Sequence, residues 1–95
     1  MTLSTNDQLK LLYDLLEEHL SEYSGSISEY QQIKRVVQSL ISKDKIVDEQ
    51  LLQVLPEIYN YGLQGESVQS LTEHISTNSK NIASWKSVIQ ENKLE

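Results

Sequence analysis

Residues 5–20, TNDQLKLLYDLLEEHL, carry the pattern that decides the fold of this chain. Leucines recur every three or four residues, which aligns them along one side of an α-helix, and acidic residues fall on the opposite side. The stripe consists of Leu9, Leu11, Leu12, Leu15, Leu16 and Leu20. Thr5 and Gln8 have the spacing of a capping box, so we expect helix 1 to run from about Asn6 to Tyr23 and to stop at Ser24-Gly25.

A second capping box, from Ser26 to Glu29, precedes the next helical pattern. The apolar residues that follow at helical spacing are Tyr30, Ile33, Val36, Val37, Leu40 and Ile41. They predict helix 2 from about Ile27 to Ser42. Lys43 to Lys45 form a polar turn after it, and the two lysines suit the negative end of the helix dipole.

A third helix follows Asp48, which has the chemistry of an N-cap residue. Val47 and Leu52 flank it as a hydrophobic staple. We expect helix 3 to begin near Glu49 and to end at the glycines, Gly62 and Gly65. Pro56 falls inside this segment. Because proline has no amide hydrogen and its ring clashes with the preceding turn, we expect a kink or a break there.

One apolar seam accounts for the remainder of the chain. Its members are spaced alternately three and four apart: Val68, Leu71, Ile75, Asn78, Ile82, Trp85 and Ile89. This spacing favours one long helix 4 over residues 67–91. Residues 76–81 are polar and have poor helix propensity, so two shorter helices remain the alternative.

The two alternatives differ in whether the apolar residues at the end of the seam are exposed or buried. One long helix would extend roughly two turns beyond helices 1 and 2. It would expose the apolar residues Trp85, Val88 and Ile89, which are then candidates for a homodimer interface. A break at 76–81 would instead fold the last segment back and make Trp85 a core residue.

Four amphipathic helices with short connections predict an all-α fold, a four-helix up-down antiparallel bundle with a kinked third helix and a long fourth helix. We expect a single domain over residues 1–93. The pair Leu94-Glu95 resembles vector-encoded residues before an affinity tag, and we exclude it.

Composition excludes several classes of protein. With no cysteine, the chain has neither disulfides nor thiolate metal sites. Eight Lys and Arg against fourteen Asp and Glu give a net charge of −6, which disfavours nucleic-acid binding. The local group of four cations at 34–45 fits a solvated helix face and a helix end. Since no signal peptide or long apolar run is present, we expect a cytoplasmic protein without membrane contact.

Residues 25–41, GSISEYQQIKRVVQSLI, together with the leucine-rich first helix and the closing helix with Trp85, resemble the YtzH-like family of short bacillar proteins. The resemblance covers most of the chain. Its most specific part is a capping box and an amphipathic helix, not a set of chemical ligands. It implies an intracellular protein with no assigned activity. Some members have cysteine near the positions of Tyr23 and Ser24, so the resemblance implies no thiol-dependent role for this chain.

The two histidines lie in similar strings, LEEHL at residues 16–20 and LTEHI at residues 71–75. In an up-down bundle the end of helix 1 meets the start of helix 4. Imidazole and carboxylate groups there could bind zinc or iron. The candidates are His19, His74, Glu18, Glu22 and Glu73. However, adjacent Glu and His side chains diverge by about 100° around a helix, so we favour a chance agreement and expect no metal or other cofactor.

Catalytic patterns are missing from the sequence. It has no cysteine nucleophile, no glycine-rich phosphate loop and no recognisable serine motif. For most of the five tyrosines we expect packing at the rim of the core. We therefore expect a non-enzymatic helical protein that acts by contact with an unidentified protein partner or as a homodimer. The alternative is a bundle that binds a small ligand or a metal at the His19/His74 end.

Overall fold

The computed structural model describes residues 4–22, 26–43, 46 and 48–92. These residues form five helices and include no strand, which confirms the all-α prediction. The helices are α1 (Thr5–Glu22), α2 (Ile27–Lys43), α3 (Glu49–Gly65), α4 (Leu71–Thr77) and α5 (Ser79–Asn92). Within the described ranges, no helix has the length and apolar character that crossing a membrane requires.

The start of α1 differs from the predicted capping box. Ser4, rather than Thr5, caps the helix, because the Asp7 amide donates to Ser4 Oγ at 3.1 Å. The Gln8 side chain does not reach back to the helix start. It is buried, and its Nε2 donates to Ser39 Oγ on α2 at 2.8 Å. The capping box predicted for Thr5 and Gln8 is therefore wrong, since Gln8 pairs between helices instead.

The caps of α2 and α3 are confirmed. The Glu29 amide donates to Ser26 Oγ at 3.3 Å, and the Ser26 amide donates to Glu29 Oε1 at 3.2 Å. These are the two reciprocal bonds of a capping box. At the start of α3, the Leu51 amide donates to Asp48 Oδ1 at 2.9 Å. Val47, predicted as half of a hydrophobic staple, lies outside the described residues.

Helix α3 continues without a break through Pro56. The carbonyl that lacks its usual donor belongs to Leu52, four residues earlier. Leu52 and Pro56 are both on the exposed side of α3, where water can replace the missing amide. The predicted interruption therefore does not occur; a kink remains a prediction.

Gly62 does not end α3, which continues to Gly65. Both glycines are buried. A Cβ on Gly62 would lie 2.9 Å from Lys34 Cγ and 3.1 Å from the Tyr30 carbonyl oxygen of α2. The glycine at this position therefore allows close packing of α2 against α3, and its role is tertiary as well as local.

The last apolar seam is divided at Asn78, so the prediction of one helix over residues 67–91 is wrong. The Asn78 side chain donates from Nδ2 to the His74 carbonyl at 2.9 Å, while its amide also donates to the His74 carbonyl at 3.1 Å. Such local side-chain bonds compete with regular helix geometry. The sequence alternative of two helices is confirmed. The first of them starts at Leu71, capped by Ser70.

Helix packing closes a ring around one core. Helix α1 lies against α2 and α5, and α3 lies against α2 and α5, while α4 contacts α1 and α5. The buried hydrophobic residues are Leu9, Leu12, Leu15, Leu16, Tyr30, Ile33, Val36, Val37, Leu40, Leu51, Leu55, Ile58, Tyr61, Ile75, Ile82, Trp85 and Ile89. The count of four helices was wrong, because Asn78 converts the fourth into a pair.

The break also changes the environment of the predicted interface. Trp85 and Ile89 are core residues, and Val88 is half-buried. No two-turn extension leaves Trp85, Val88 and Ile89 together in water. Helix α5 lies against α1 and α3, which buries Trp85 and Ile89 within one chain. The dimer interface predicted for Trp85, Val88 and Ile89 stays a prediction.

Candidate functional site

Four helices each place one ring in a cluster of histidines and tyrosines, three of them buried and one half-buried. The rings are His19 on α1, Tyr30 on α2, Tyr61 on α3 and His74 on α4. Their centroids are 4.9–5.9 Å apart in the pairs that touch, and Tyr61 and His74 stack with an interplanar angle of 12°. His19 and Tyr30 are both 0% exposed. We call these four residues the ring cluster.

Hydrogen bonds connect the ring cluster into a chain that begins at Glu29. His19 Nε2 lies 3.2 Å from Glu29 Oε1, and His19 Nδ1 lies 2.8 Å from the Tyr61 hydroxyl. The Tyr30 hydroxyl lies 3.5 Å from the Tyr61 hydroxyl and 3.2 Å from His74 Nδ1. Glu29 thus completes the α2 capping box and also fixes the ring of His19.

With both imidazoles neutral, one arrangement of protons satisfies every contact in this chain. His19 Nε2 donates to the Glu29 carboxylate, which leaves Nδ1 to accept from Tyr61. Tyr61 then accepts from Tyr30, and Tyr30 accepts from His74 Nδ1. The remaining nitrogen, His74 Nε2, is buried without a hydrogen-bond partner among the described residues. In this arrangement it carries a lone pair and both imidazoles are neutral.

Burial holds the ring cluster in its uncharged form. It lowers the pKa of His19 below the ordinary value, although the neighbouring Glu29 carboxylate opposes the shift. Burial also lowers the pKa of His74, and the positive charge of a protonated His19 would lower it further. The pKa values of Tyr30 and Tyr61 are raised, again mainly by burial. Neutral imidazoles and neutral phenols are therefore the stable forms near pH 7.

Among the described residues, the predicted metal candidates do not form a ligand set. His19 and His74 lie in the same cluster, but Glu18 and Glu73 are exposed. The side chain of Glu22 lies outside the described part of the chain. Within that part, no group of three or more His, Asp or Glu side chains is placed to hold a metal ion. The carboxylate beside His19 comes from Glu29, which the sequence marked only as a capping residue.

The tyrosines divide into core and rim positions. Tyr30 and Tyr61 are fully buried, while Tyr13 and Tyr59 are half-buried, as a rim position requires. Tyr23 lies outside the described residues. The burial of Tyr30 could be predicted from the sequence, because Tyr30 falls on the apolar stripe of helix 2.

Trp85 extends the ring cluster toward α5. Its ring meets Tyr61 edge to face, with centroids 5.5 Å apart, and its Nε1 donates to Glu57 Oε1 at 3.0 Å. The bond satisfies the indole N–H while the ring fills the core. Sequence periodicity located Trp85 on the seam but gave no indication of Glu57 as its partner.

A surface cavity of about 570 Å³ lies beside the ring cluster. Its walls come from residues between 64 and 78, and they are Gln64, Val68, Gln69, Ser70, Glu73, His74, Thr77 and Asn78. His74 is therefore at the wall, but His19 is separated from it. The cavity does not bring the two histidines to one open site.

A second surface feature is a groove of about 370 Å³ between α2 and α3. Its walls are formed by Gln31, Lys34, Arg35, Gln38, Tyr59 and Glu66. Lys34 Nζ and Glu66 Oε1 form an ion pair at 2.7 Å across it. Arg35 is exposed and has no ion-pair partner among the described residues. The centre of the groove thus carries one unpaired cation.

Exposed aliphatic side chains lie on the two helices that form this groove. Within the described residues the large exposed hydrophobics are Ile27 (51%), Ile41 (47%), Leu52 (45%) and Leu63 (47%). Ile27 and Ile41 are fourteen residues apart, about four helical turns, so they share one side of α2. Leu52 and Leu63 are eleven residues apart, about three turns, and share one side of α3.

The antiparallel pairing of α2 with α3 sets the order of these side chains along the two helices. Tyr30, near the start of α2, packs on Gly65, at the end of α3, so the two helices run antiparallel. Ile27 and Leu63 therefore lie toward one end of the pair. Ile41 and Leu52 lie toward the other. We call the groove and these four side chains the α2–α3 face.

Comparison with known proteins identifies relatives over most of the chain. A family model described as "YtzH-like protein" matches residues 3–89. A curated protein of Bacillus subtilis (strain 168), "Uncharacterized protein YtzH", is 32% identical over 85 residues, which cover 90% of this chain and 91% of that protein. No solved structure matches significantly.

Proposed function

The chain belongs to the YtzH-like protein family, and we propose that it is a non-enzymatic helical module that binds another protein through the α2–α3 face. The supporting observation is the location of its exposed aliphatic residues. All four that are large and strongly exposed in the described ranges are on α2 and α3, the two helices that form the groove. Scattered apolar residues are normal on a surface, but a grouped set is typical of interaction sites.

The distribution of polar groups supports a binding role over a catalytic one. Among the described residues, the titratable groups with shifted pKa values belong to the ring cluster, where hydroxyls and imidazoles bond to one another. Catalysis requires such groups to reach a substrate. In the ring cluster they join α1, α2, α3 and α4, which is a structural role.

The buried ring cluster and the α2–α3 face have complementary roles in this proposal. The cluster fixes Tyr30 and Tyr61 on α2 and α3, and so fixes the spacing of the two helices. Binding surfaces gain affinity when their backbone is rigid before the partner arrives. A face built on two helices held in this way needs little ordering on binding.

Site-specific photocrosslinking in cells of the source organism tests the proposal. A photoreactive amino acid is introduced at Leu52 or Leu63, and at Ser84 or Ser87 on the exposed side of α5 as matched controls. We expect an adduct of defined mass from the α2–α3 face only. The double substitution Ile27→Ser and Ile41→Ser should remove it while circular dichroism shows a folded protein. Adducts of equal yield from both faces, or none from either, would contradict the proposal.

A further inference from the structure

We infer that the partner of the α2–α3 face is an amphipathic α-helix of a different protein, with carboxylates at its centre and apolar residues toward both ends. The inference rests on the proposed function and specifies its partner. It follows from the length of the face, from the position of its charge and from the arrangement that a second copy of the chain would require.

The spacing of the apolar groups fits a helix. From Ile27 to Ile41 the face is about 21 Å long, which equals about four turns of a partner helix. Two helices that pack side by side leave a groove along their length, and an amphipathic helix binds such a groove through side chains three and four residues apart. A partner with apolar side chains in its first and last turns would reach both ends of the face.

The positive charge of Arg35 at the centre of the groove indicates which charge the partner carries there. Lys34 is neutralised by Glu66, whereas Arg35 projects at the groove wall without an anion among the described residues. Gln31 and Gln38 on the same wall can donate amide hydrogens. A central carboxylate on the partner would therefore meet one guanidinium and two amide donors.

A second copy of the chain fits this face poorly. A two-fold axis through the groove would bring the two Arg35 side chains toward each other and place like charges at the centre. The most acidic helix of a second copy, α1, cannot enter the groove with its leucine stripe, because Leu12 and Leu16 are in its own core. Both considerations favour a partner of different sequence.

Three synthetic helical peptides of eighteen residues test the inference. They share leucines in the first and last turns of one side and differ only in the central turn, which carries two Glu, two Gln or two Lys. Affinities for the whole protein are measured by fluorescence anisotropy at low and high salt. We expect the Glu peptide to bind about fivefold more tightly than the Lys peptide, with a difference that shrinks in salt.

Charge reversal in the protein supplies the matched control. Arg35→Glu should invert the order of the Glu and Lys peptides. Lys80→Glu, which makes the same charge change at an exposed position of α5, should preserve it. Equal affinities for the three peptides, or an order that Lys80→Glu changes as much as Arg35→Glu, would overturn the inference.

Two further results separate this inference from the proposed function. If no peptide binds while crosslinks from Leu52 and Leu63 persist, the partner is not an acidic helix, yet the face still binds protein. If light scattering shows a dimer that Leu63→Ser dissociates, the occupant is a second copy and the inference is wrong. If no crosslink forms, the proposed function itself fails.

Discussion

The ring of Tyr30 occupies the space that a Cβ on Gly65 would need. An ideal Cβ at that position would lie 2.5 Å from Tyr30 Cζ and closer still to two other ring atoms. Only the absence of a side chain at Gly65 allows α3 to approach the ring in this way. The approach also sets the Tyr30 hydroxyl within 3.2 Å of His74 Nδ1.

Gly65→Ala should therefore destabilise the protein, although alanine has the higher helix propensity. The added methyl must displace a ring that is fully buried and bonded to two neighbours. Overpacking of this kind costs about 1–3 kcal/mol, more than the roughly 1 kcal/mol that alanine contributes in a helix. Urea unfolding monitored by circular dichroism measures the difference.

Gly62→Ala is the matched comparison on the same helix. Its Cβ would meet Lys34 Cγ, which belongs to a flexible side chain, and the Tyr30 carbonyl at 3.1 Å. We expect a smaller loss of stability than for Gly65→Ala. A Gly65→Ala protein as stable as the wild type would show that the Tyr30 ring can move without penalty.

Stability should fall in mild acid because of the ring cluster. The pKa values of His19 and His74 in the folded state lie below 6.5, whereas in the unfolded chain they return to about 6.5. Below that pH the unfolded chain binds more protons than the folded one, so the free energy of unfolding decreases as pH falls. Above about pH 7.5 both histidines are neutral in either state, and they do not reduce the free energy of unfolding. As the pH falls toward their folded-state pKa values, that free energy decreases progressively. Urea midpoints recorded between these limits measure it.

A neutral replacement at one histidine identifies the source of this slope. His74→Gln cannot be protonated, so its stability should depend less on pH between about 7.5 and 5, even if its maximum stability is lower. Glu73→Gln alters the exposed neighbour and should leave the slope unchanged. Identical pH profiles for His74→Gln and the wild type would show that His74 does not contribute to the acid sensitivity.

Pro56→Ala should leave stability unchanged or raise it. Helix α3 already runs through this position, and an alanine restores the amide that the Leu52 carbonyl lacks. Thermal unfolding of the wild type and of Pro56→Ala compares their stabilities. A loss of more than about 1 kcal/mol would indicate that packing depends on the backbone shape that proline imposes.

Trp85→Ala should severely destabilise a monomer. The indole is 5% exposed, contacts Tyr61 and donates to Glu57, and removal of such a side chain costs about 3–5 kcal/mol. Trp85→Phe keeps most of the ring and should lose about 1 kcal/mol for the hydrogen bond. Light scattering and unfolding are measured together. A wild-type dimer that Trp85→Ala converts into a stable, folded monomer would contradict the core role.

Local patterns accounted for most of the secondary structure. The leucine stripe of α1, the capping box of Ser26 and Glu29, and the N-cap Asp48 were all identified in the sequence, because their partners are only three or four residues away. The division of the last seam was foreseen only as an alternative. Its polar residues weaken a helix, but propensity alone does not decide between a weak helix and a break.

Far less of the candidate site than of the secondary structure could be predicted from the sequence. The two histidines were noticed, but the carboxylate expected beside them was Glu18, Glu22 or Glu73, whereas the structure uses Glu29. The exposed residues of the α2–α3 face were not recognised as a group. Ile41 and Leu52 were assigned to apolar stripes or staples, because periodicity alone cannot show which end of a stripe remains uncovered.

The sequence by itself determined that this chain forms amphipathic helices with one aliphatic core, since helical periodicity and caps depend on neighbours within about one turn. Only the tertiary structure decided that Gln8 pairs with Ser39, and that Tyr30 packs on Gly65 and reaches His74. It also decided that the large exposed aliphatic side chains of the described residues are on α2 and α3. These contacts join residues 31 to 44 positions apart on different helices. They depend on how the helices are rotated and spaced against each other, which close packing of the whole core sets at once.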